Sequence, residues 1–174
     1  MTKKIEVDWG LCESNGVCMG VIPEVFQLED DDTLTVLQED RSKLGGAVEE
    51  LLRYEGPVQY NVRWTLKEAH TSGGTIPAGK PVFVMNAAAN RDPDAFTEAD
   101  TFDIDRDHTE AQHLGLGYGI HSCLGAALAR MESRVALEKL LDFMPRYEDD
   151  WDGCKRVTMQ NVAGWLNVPV KVLR

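Results

Sequence analysis

The sequence predicts an α+β protein in which small β-sheets surround one long helix, and three features lead there. Alternating apolar and polar residues recur in short bursts near the start, in the middle and at the end. One strongly amphipathic segment follows Cys123. Between the middle strands and that helix, residues 86–123 are rich in Asn, Asp, Gly and Pro and lack regular periodicity, and a loop of that length is usually functional or disordered.

Taken in order, Lys4-Ile5-Glu6-Val7-Asp8 and Leu34-Thr35-Val36-Leu37 read as two short strands around a cysteine-containing loop. The composition shifts near Gln38-Glu39-Asp40-Arg41-Ser42. Ser42 is placed to cap a short helix carrying Ala47, Val48, Leu51 and Leu52, which Gly56-Pro57 ends. Residues 58–65 and 81–85 have strand composition, with Gly73-Gly74 and Pro77-Ala78-Gly79 as turns between them. Beyond the long loop, Leu124, Leu128, Met131 and Val135 recur at helical spacing. Leu137, Leu140, Leu141 and Met144 extend that face until Pro145 stops it. Residues 165–172 alternate again as strands.

Of the 174 residues, 43% are hydrophobic and 27% charged, the mix of roughly one ordinary domain, which excludes collagen-like, mucin-like and wholly disordered chains. The longest weakly polar run, residues 80–89, is broken by Pro81 and Asn86 and falls short of the ~20 apolar residues that span a bilayer. Lys3 and Lys4 are followed by Glu6 and Asp8 rather than by an apolar stretch, unlike a secretory signal. The expectation is a cytoplasmic protein without a membrane partner. Residues 1–40 hold two Lys against ten Asp or Glu, a balance of −8 within the net charge of −11. Such a block repels phosphate backbones and suits docking on a basic protein surface, so nucleic acid is not expected as a partner. The plainer reading of Glu29-Asp30-Asp31-Asp32 is a solvated turn.

Cysteines stand at Cys12, Cys18, Cys123 and Cys154, and a reducing cytosol favours metal ligation over disulfides. The stretch Leu114-Gly115-Leu116-Gly117-Tyr118-Gly119-Ile120-His121-Ser122-Cys123-Leu124-Gly125 holds four glycines in eleven residues, which lets a backbone turn sharply and approach a flat ligand. Cys123 falls at the opening of the long helix, where backbone amides favour a thiolate, so it reads as an anionic ligand or nucleophile, with a structural cysteine as the alternative. The stretch resembles the haem-binding signature of the cytochrome P-450 family, Phe-Gly-x-Gly-x-His-x-Cys-x-Gly, with Leu116 standing in place of the Phe. That departure bears on the electronic tuning of the iron. The resemblance implies that Cys123 is the axial thiolate of the iron in haem b and that His121 binds a propionate. It makes Gly117, Gly119 and Gly125 cofactor-contacting positions, Gly125 letting the next helix pass beneath the porphyrin.

Further motifs resemble the family upstream of that loop. Glu50-Leu51-Leu52-Arg53 matches its Glu-x-x-Arg, and i, i+3 spacing puts both charges on one helical face. Asn90-Arg91-Asp92-Pro93 and Phe102-Asp103-Ile104-Asp105-Arg106 resemble its meander, and either arginine could complete a charge network, Arg106 being preferred. Arg63 resembles the arginine that neutralises a propionate, the plain alternative being a surface strand arginine. The resemblance covers residues 42–174 and implies a monooxygenase that inserts one oxygen atom of dioxygen into a small organic substrate, with electrons from a ferredoxin or ferredoxin reductase. It lacks the family's distal oxygen-activating segment, so no catalytic residue is assigned and the chain is expected to be catalytically incomplete. The apolar faces of the 47–53 and 124–144 helices are then expected to be uncovered.

At the start, Cys12-Glu13-Ser14-Asn15-Gly16-Val17-Cys18 places two thiols at the outer positions of Cys-x2-Cys-x2-Cys, with Asn15 at the middle one. The segment resembles small bacterial single-cluster 3Fe-4S/4Fe-4S ferredoxins, which implies an Fe–S cluster with Cys12 and Cys18 as ligands. Two free thiols are an equal alternative, because the resemblance stops after Leu37 and the later Cys-Pro is missing. Cys154, followed by Lys155, is not assigned to a cluster. The expected organisation is a ferredoxin-like segment over 1–40 and a P-450-like domain over 42–174, resembling a truncated fusion. A non-catalytic haem-binding or electron-transfer module is the alternative function, and a fragment without biochemical activity is a third.

Overall fold

The computed structural model describes residues 32–173. The strand expected at residues 4–8, the Cys12 to Cys18 loop and Glu29-Asp30-Asp31 lie outside the described residues. The first element is a helix, α1 (Asp32–Glu39), where a strand over residues 34–37 was expected. A four-residue apolar run does not distinguish the two by periodicity, and tertiary contacts decide. Leu37 is only 1% exposed within the helical core, and Gln38 Nε2 donates to Pro145 O at 2.6 Å.

Asp40, rather than Ser42, caps the next turn. Its carboxylate accepts from Ser42 N at 3.0 Å and from Ser42 Oγ at 2.6 Å, opening a 3-10 turn at Arg41–Lys43. That turn leads into α2 (Leu44–Tyr54), whose Leu44, Ala47, Val48, Leu51 and Leu52 are all buried. Gly56 and Pro57 follow its end, and Glu55 N closes the last turn on Leu51 O at 3.0 Å.

The middle of the chain is two nested antiparallel pairs. β1 (Asn61–Trp64) pairs with β4 (Pro81–Val84), and the hairpin β2 (Ala69–Thr71) and β3 (Gly74–Ile76) lies between them in sequence. Gly74 and Gly79 take the positive φ values that the turns need. A short helix, α3 (Asn86–Ala89), begins the aperiodic stretch, which ends at α4 (Ala126–Phe143). The tail forms two further pairs, β5 (Tyr147–Asp149) with β8 (Val170–Val172) and β6 (Lys155–Arg156) with β7 (Trp165–Asn167). A bridge between Val58 and Val162 ties this tail to the stretch before β1.

The core lies between α1, α2 and α4, where Leu37, Leu44, Ala47, Val48, Leu51, Leu52, Leu137 and Leu141 form one cluster. The expected apolar face of α4 packs only in its second half, through Leu137 and Leu141, with Met144 buried just beyond the helix. Ala129, Ser133, Leu137 and Leu141 are buried, while Leu124, Leu128, Met131 and Val135 are exposed. Steps of four residues advance about 40° beyond a full turn, so the buried stripe slants around the helix. Apolar periodicity shows that α4 has a hydrophobic stripe, but in its first half the buried positions are the small Ala129 and Ser133. The expected uncovered face on residues 47–53 is covered, because α2 turns its leucines into this cluster.

Candidate functional site

The aperiodic stretch is organised by two buried guanidinium groups. Arg53, 2% exposed, donates from Nε and Nη2 to both oxygens of Glu50 at 2.8 Å. Its remaining N–H groups reach the carbonyls of Asn90, Ala99 and Thr101 at 2.7 to 2.9 Å. Arg106 brings Nε to 3.1 Å from both Glu50 oxygens and caps the carbonyls of Thr97, Glu98 and Thr101. Backbone oxygens that lack a sheet or helix partner are thus satisfied by side chains, which allows a long loop to be ordered. Burial would raise the Glu50 carboxyl, but hydrogen bonds from Arg53, Asp103 N and Arg106 hold it below its ordinary value. Arg91 instead binds Tyr54 O at 2.9 and 3.0 Å and stacks over the Tyr54 ring.

Next to this knot, the glycine-rich loop runs from Leu114 to Gly125. Gly115 passes so close to α2 that a Cβ there would lie 2.3 Å from Leu52 O. Gly117 takes φ +76°, and a Cβ on it would meet His121 O at 2.5 Å. The chain makes a 3-10 turn at Gly119–His121 and returns, Cys123 N donating to Leu116 O at 2.7 Å. Gly125 caps the start of α4. Cys123 is exposed and forms no disulfide.

An open cavity of about 350 Å³ lies between this loop and the β1–β4 pair. Arg63 of β1, His121 and Cys123 all line it, although they come from distant parts of the sequence, and Gly117 contributes backbone. Val84, Leu116 and Pro57 supply apolar wall, while Asn61, Asn86 and Tyr118 are polar lining residues that sequence reasoning missed. The Asn residues carried no motif, and Tyr118 sat at an unassigned position of the signature. Gly119 and Gly125 do not line the cavity. Cys154 lies elsewhere, its thiol donating to Asp150 O at 3.4 Å and pushed up by burial and by Asp149 and Asp150. Among the described residues, no group of three or more His, Cys, Asp or Glu side chains forms a metal-holding cluster. No described helix is long and apolar enough to cross a membrane.

An ion-pair knot thus orders a long loop that ends in an exposed cysteine just before a long helix, and comparison with known proteins identifies the family in which this arrangement falls. The chain belongs to the cytochrome P-450 family, whose model matches residues 30–146. A second model, the 4Fe-4S single cluster domain, matches residues 5–53. The chain is 46% identical over 119 residues to the cytochrome P-450 monooxygenase PikC of Streptomyces venezuelae, covering 68% of this chain and 28% of PikC. It is 43% identical over 118 residues to the biotin biosynthesis cytochrome P-450 of Bacillus subtilis, covering 68% of this chain and 29% of that one. It therefore spans under a third of the length of these relatives. Among solved structures it is similar to P450BioI in complex with a hexadec-9Z-enoic acid ligated acyl carrier protein, with TM-score 0.78 and 36% identity, covering 86% of this chain and 38% of that one. CYP109E1 from Bacillus megaterium in complex with testosterone gives TM-score 0.84 at 28% identity, covering 94% of this chain and 45% of that one.

Proposed function

We propose that this chain carries the haem-thiolate centre of a monooxygenase, with haem b held in the cavity that Arg63, His121 and Cys123 share. The observation that carries the reading is that convergence of three residues on one cavity. The donor set suits the group. A cysteine sulfur on the cavity wall is a soft ligand for iron, and a guanidinium and an imidazole beside it can bind carboxylates. Apolar Val84 and Leu116 suit a macrocycle face, and Gly117 leaves the loop free of a side chain at its tightest bend.

Haem bound here would supply dioxygen chemistry, in which two electrons and two protons take one oxygen atom to water as the other enters an organic substrate. Cys123 would hold the iron and donate electron density through its sulfur, and Arg63 and His121 would bind the propionates. Glu50, Arg53 and Arg106 do not line the cavity and hold the supporting stretch in place. Gly119 and Gly125 act on the backbone path of the loop. The substrate is a small organic molecule, and the electrons come from a ferredoxin or ferredoxin reductase in the cytoplasm. We extend the reading to a ferredoxin-like segment over 1–40 and a P-450-like domain over 42–174. The match of residues 5–53 to the 4Fe-4S single cluster domain supports an Fe–S cluster on Cys12 and Cys18.

Titration of the purified chain with haem tests the site. Arg63→Ala and His121→Ala should each weaken haem binding by about tenfold, the loss of one charge-assisted hydrogen bond. Unchanged affinity in both variants contradicts the propionate assignment.

A further inference from the structure

Glu49 sits on α2 beside Glu50 but serves different partners. Its carboxylate pairs with His113 Nε2 at 3.0 Å and accepts from Arg130 through Nε and, at 3.0 Å, through Nη2. His113 lies just before the glycine-rich loop and is 8% exposed. Arg130 lies near the start of α4, the helix into which that loop feeds. The other imidazole nitrogen, Nδ1, accepts the Gly115 N–H at 3.2 Å. Using both nitrogens this way puts the ring hydrogen on Nε2, where it donates to Glu49. Asn90 Oδ1, 1% exposed as a residue, holds the intervening Leu114 N–H at 2.6 Å. Leu116, which follows Gly115, offers the carbonyl that receives Cys123 N at 2.7 Å.

We propose that Glu49 and His113 are positioning residues for Cys123: one carboxylate on α2 clamps the cysteine loop at both ends, through His113 where the loop begins and through Arg130 where it becomes α4. Gly115 supports the clamp, since a Cβ there would collide with Leu52 O and lie 3.2 Å from His113 Nδ1. Burial would raise the Glu49 carboxyl, but hydrogen bonds from His113 and Arg130 and the charge of Arg130 draw it down to about 2, so the clamp is charged at neutral pH. Glu50 and Arg53 fix the stretch upstream of the loop, whereas Glu49 acts on the loop itself. The consequence for iron ligation rests on the haem-thiolate reading above. The geometry of the clamp does not.

Amide hydrogen exchange in the haem-free full chain therefore comes first. Glu49→Gln keeps the side-chain shape but loses the charge that holds Arg130. His113→Asn keeps an acceptor near Gly115 N–H but cannot reach Glu49, and it preserves the test if Glu49→Gln does not fold. Each should speed exchange at Cys123 N–H by about tenfold, while Leu51 and Leu52 in α2 keep their rates. The double variant should be little worse than either single one, because both break one network. Unchanged exchange at Cys123, or equal acceleration at Leu51 and Leu52, overturns the proposal, the latter showing a general loss of stability. With haem added, the carbon monoxide complex of each variant should lose part of its red-shifted Soret absorption to a thiol-ligated form. If no form of the chain binds haem, the haem-thiolate reading fails while the exchange result still decides the clamp.

Discussion

Arg106 reaches back 56 residues in sequence to bring its Nε to 3.1 Å from each carboxylate oxygen of Glu50. The contact closes a knot in which one fully buried carboxylate is shared by two guanidinium groups. Buried ions are costly to desolvate, and they persist here because both arginines also satisfy loop carbonyls.

Removing one partner of this knot should therefore be severe. Arg53→Ala is expected to cost about 3–5 kcal/mol in urea unfolding, by leaving Glu50 partly uncompensated. Arg53→Lys should not rescue it, because all five guanidinium N–H bonds are used, on Glu50, Asn90, Ala99 and Thr101. Arg91→Ala should cost less, since Arg91 is only partly buried and rests on the Tyr54 carbonyl and ring.

Acid should loosen α2 from its partners. The Glu49 carboxyl is drawn from 4.5 to about 2 and the Glu50 carboxyl is also lowered. A carboxyl with a depressed folded-state value stabilises the fold above its unfolded value and loses that contribution as pH falls through the folded one. Thermal stability should thus fall between about pH 4.5 and pH 2. Glu49→Gln should flatten part of that fall, as followed by circular dichroism at each pH.

The bend of the cysteine loop depends on backbone without side chains. Gly117→Ala forces a Cβ to 2.5 Å from His121 O at φ +76°, so it should cost about 1–3 kcal/mol and lower the haem bound per chain. Gly119→Ala also has positive φ but nothing within 4 Å of its Cβ, so it should cost less. Pulse proteolysis with haem absorbance measures both.

The two faces of α4 should respond differently to truncation. Leu137→Ala, at a position 2% exposed, is expected to cost about 2–5 kcal/mol. Leu128→Ala and Met131→Ala, half-exposed, should stay within about 0.5 kcal/mol in the isolated chain. Equal costs on both faces would contradict the exposure of the outer one in the single chain.

Much of this was legible in residue types. The helix over 44–54 announced itself through leucine spacing and the Gly-Pro that follows it, and the glycine-rich loop through its signature. Leu34 to Leu37 misled because a short apolar run carries no period, and burial of Leu37 beside α2 and α4 decided for helix. On α4 the second half packs as its leucine spacing predicts, through Leu137 and Leu141, whereas in the first half the large Leu128 and Met131 point outward and the small Ala129 and Ser133 are the buried positions. Glu49, His113 and Arg130 left no signal, since their meeting depends on how α2, the loop and α4 pack.

The most direct measurement is the absorption spectrum of the haem-supplemented protein, reduced under carbon monoxide, beside Cys123→Ala and Cys154→Ala. A red-shifted Soret band in the parent and in Cys154→Ala, absent from Cys123→Ala, is the predicted result. A band that survives in Cys123→Ala, or no haem band in any of the three, contradicts the assignment of Cys123 as the iron ligand.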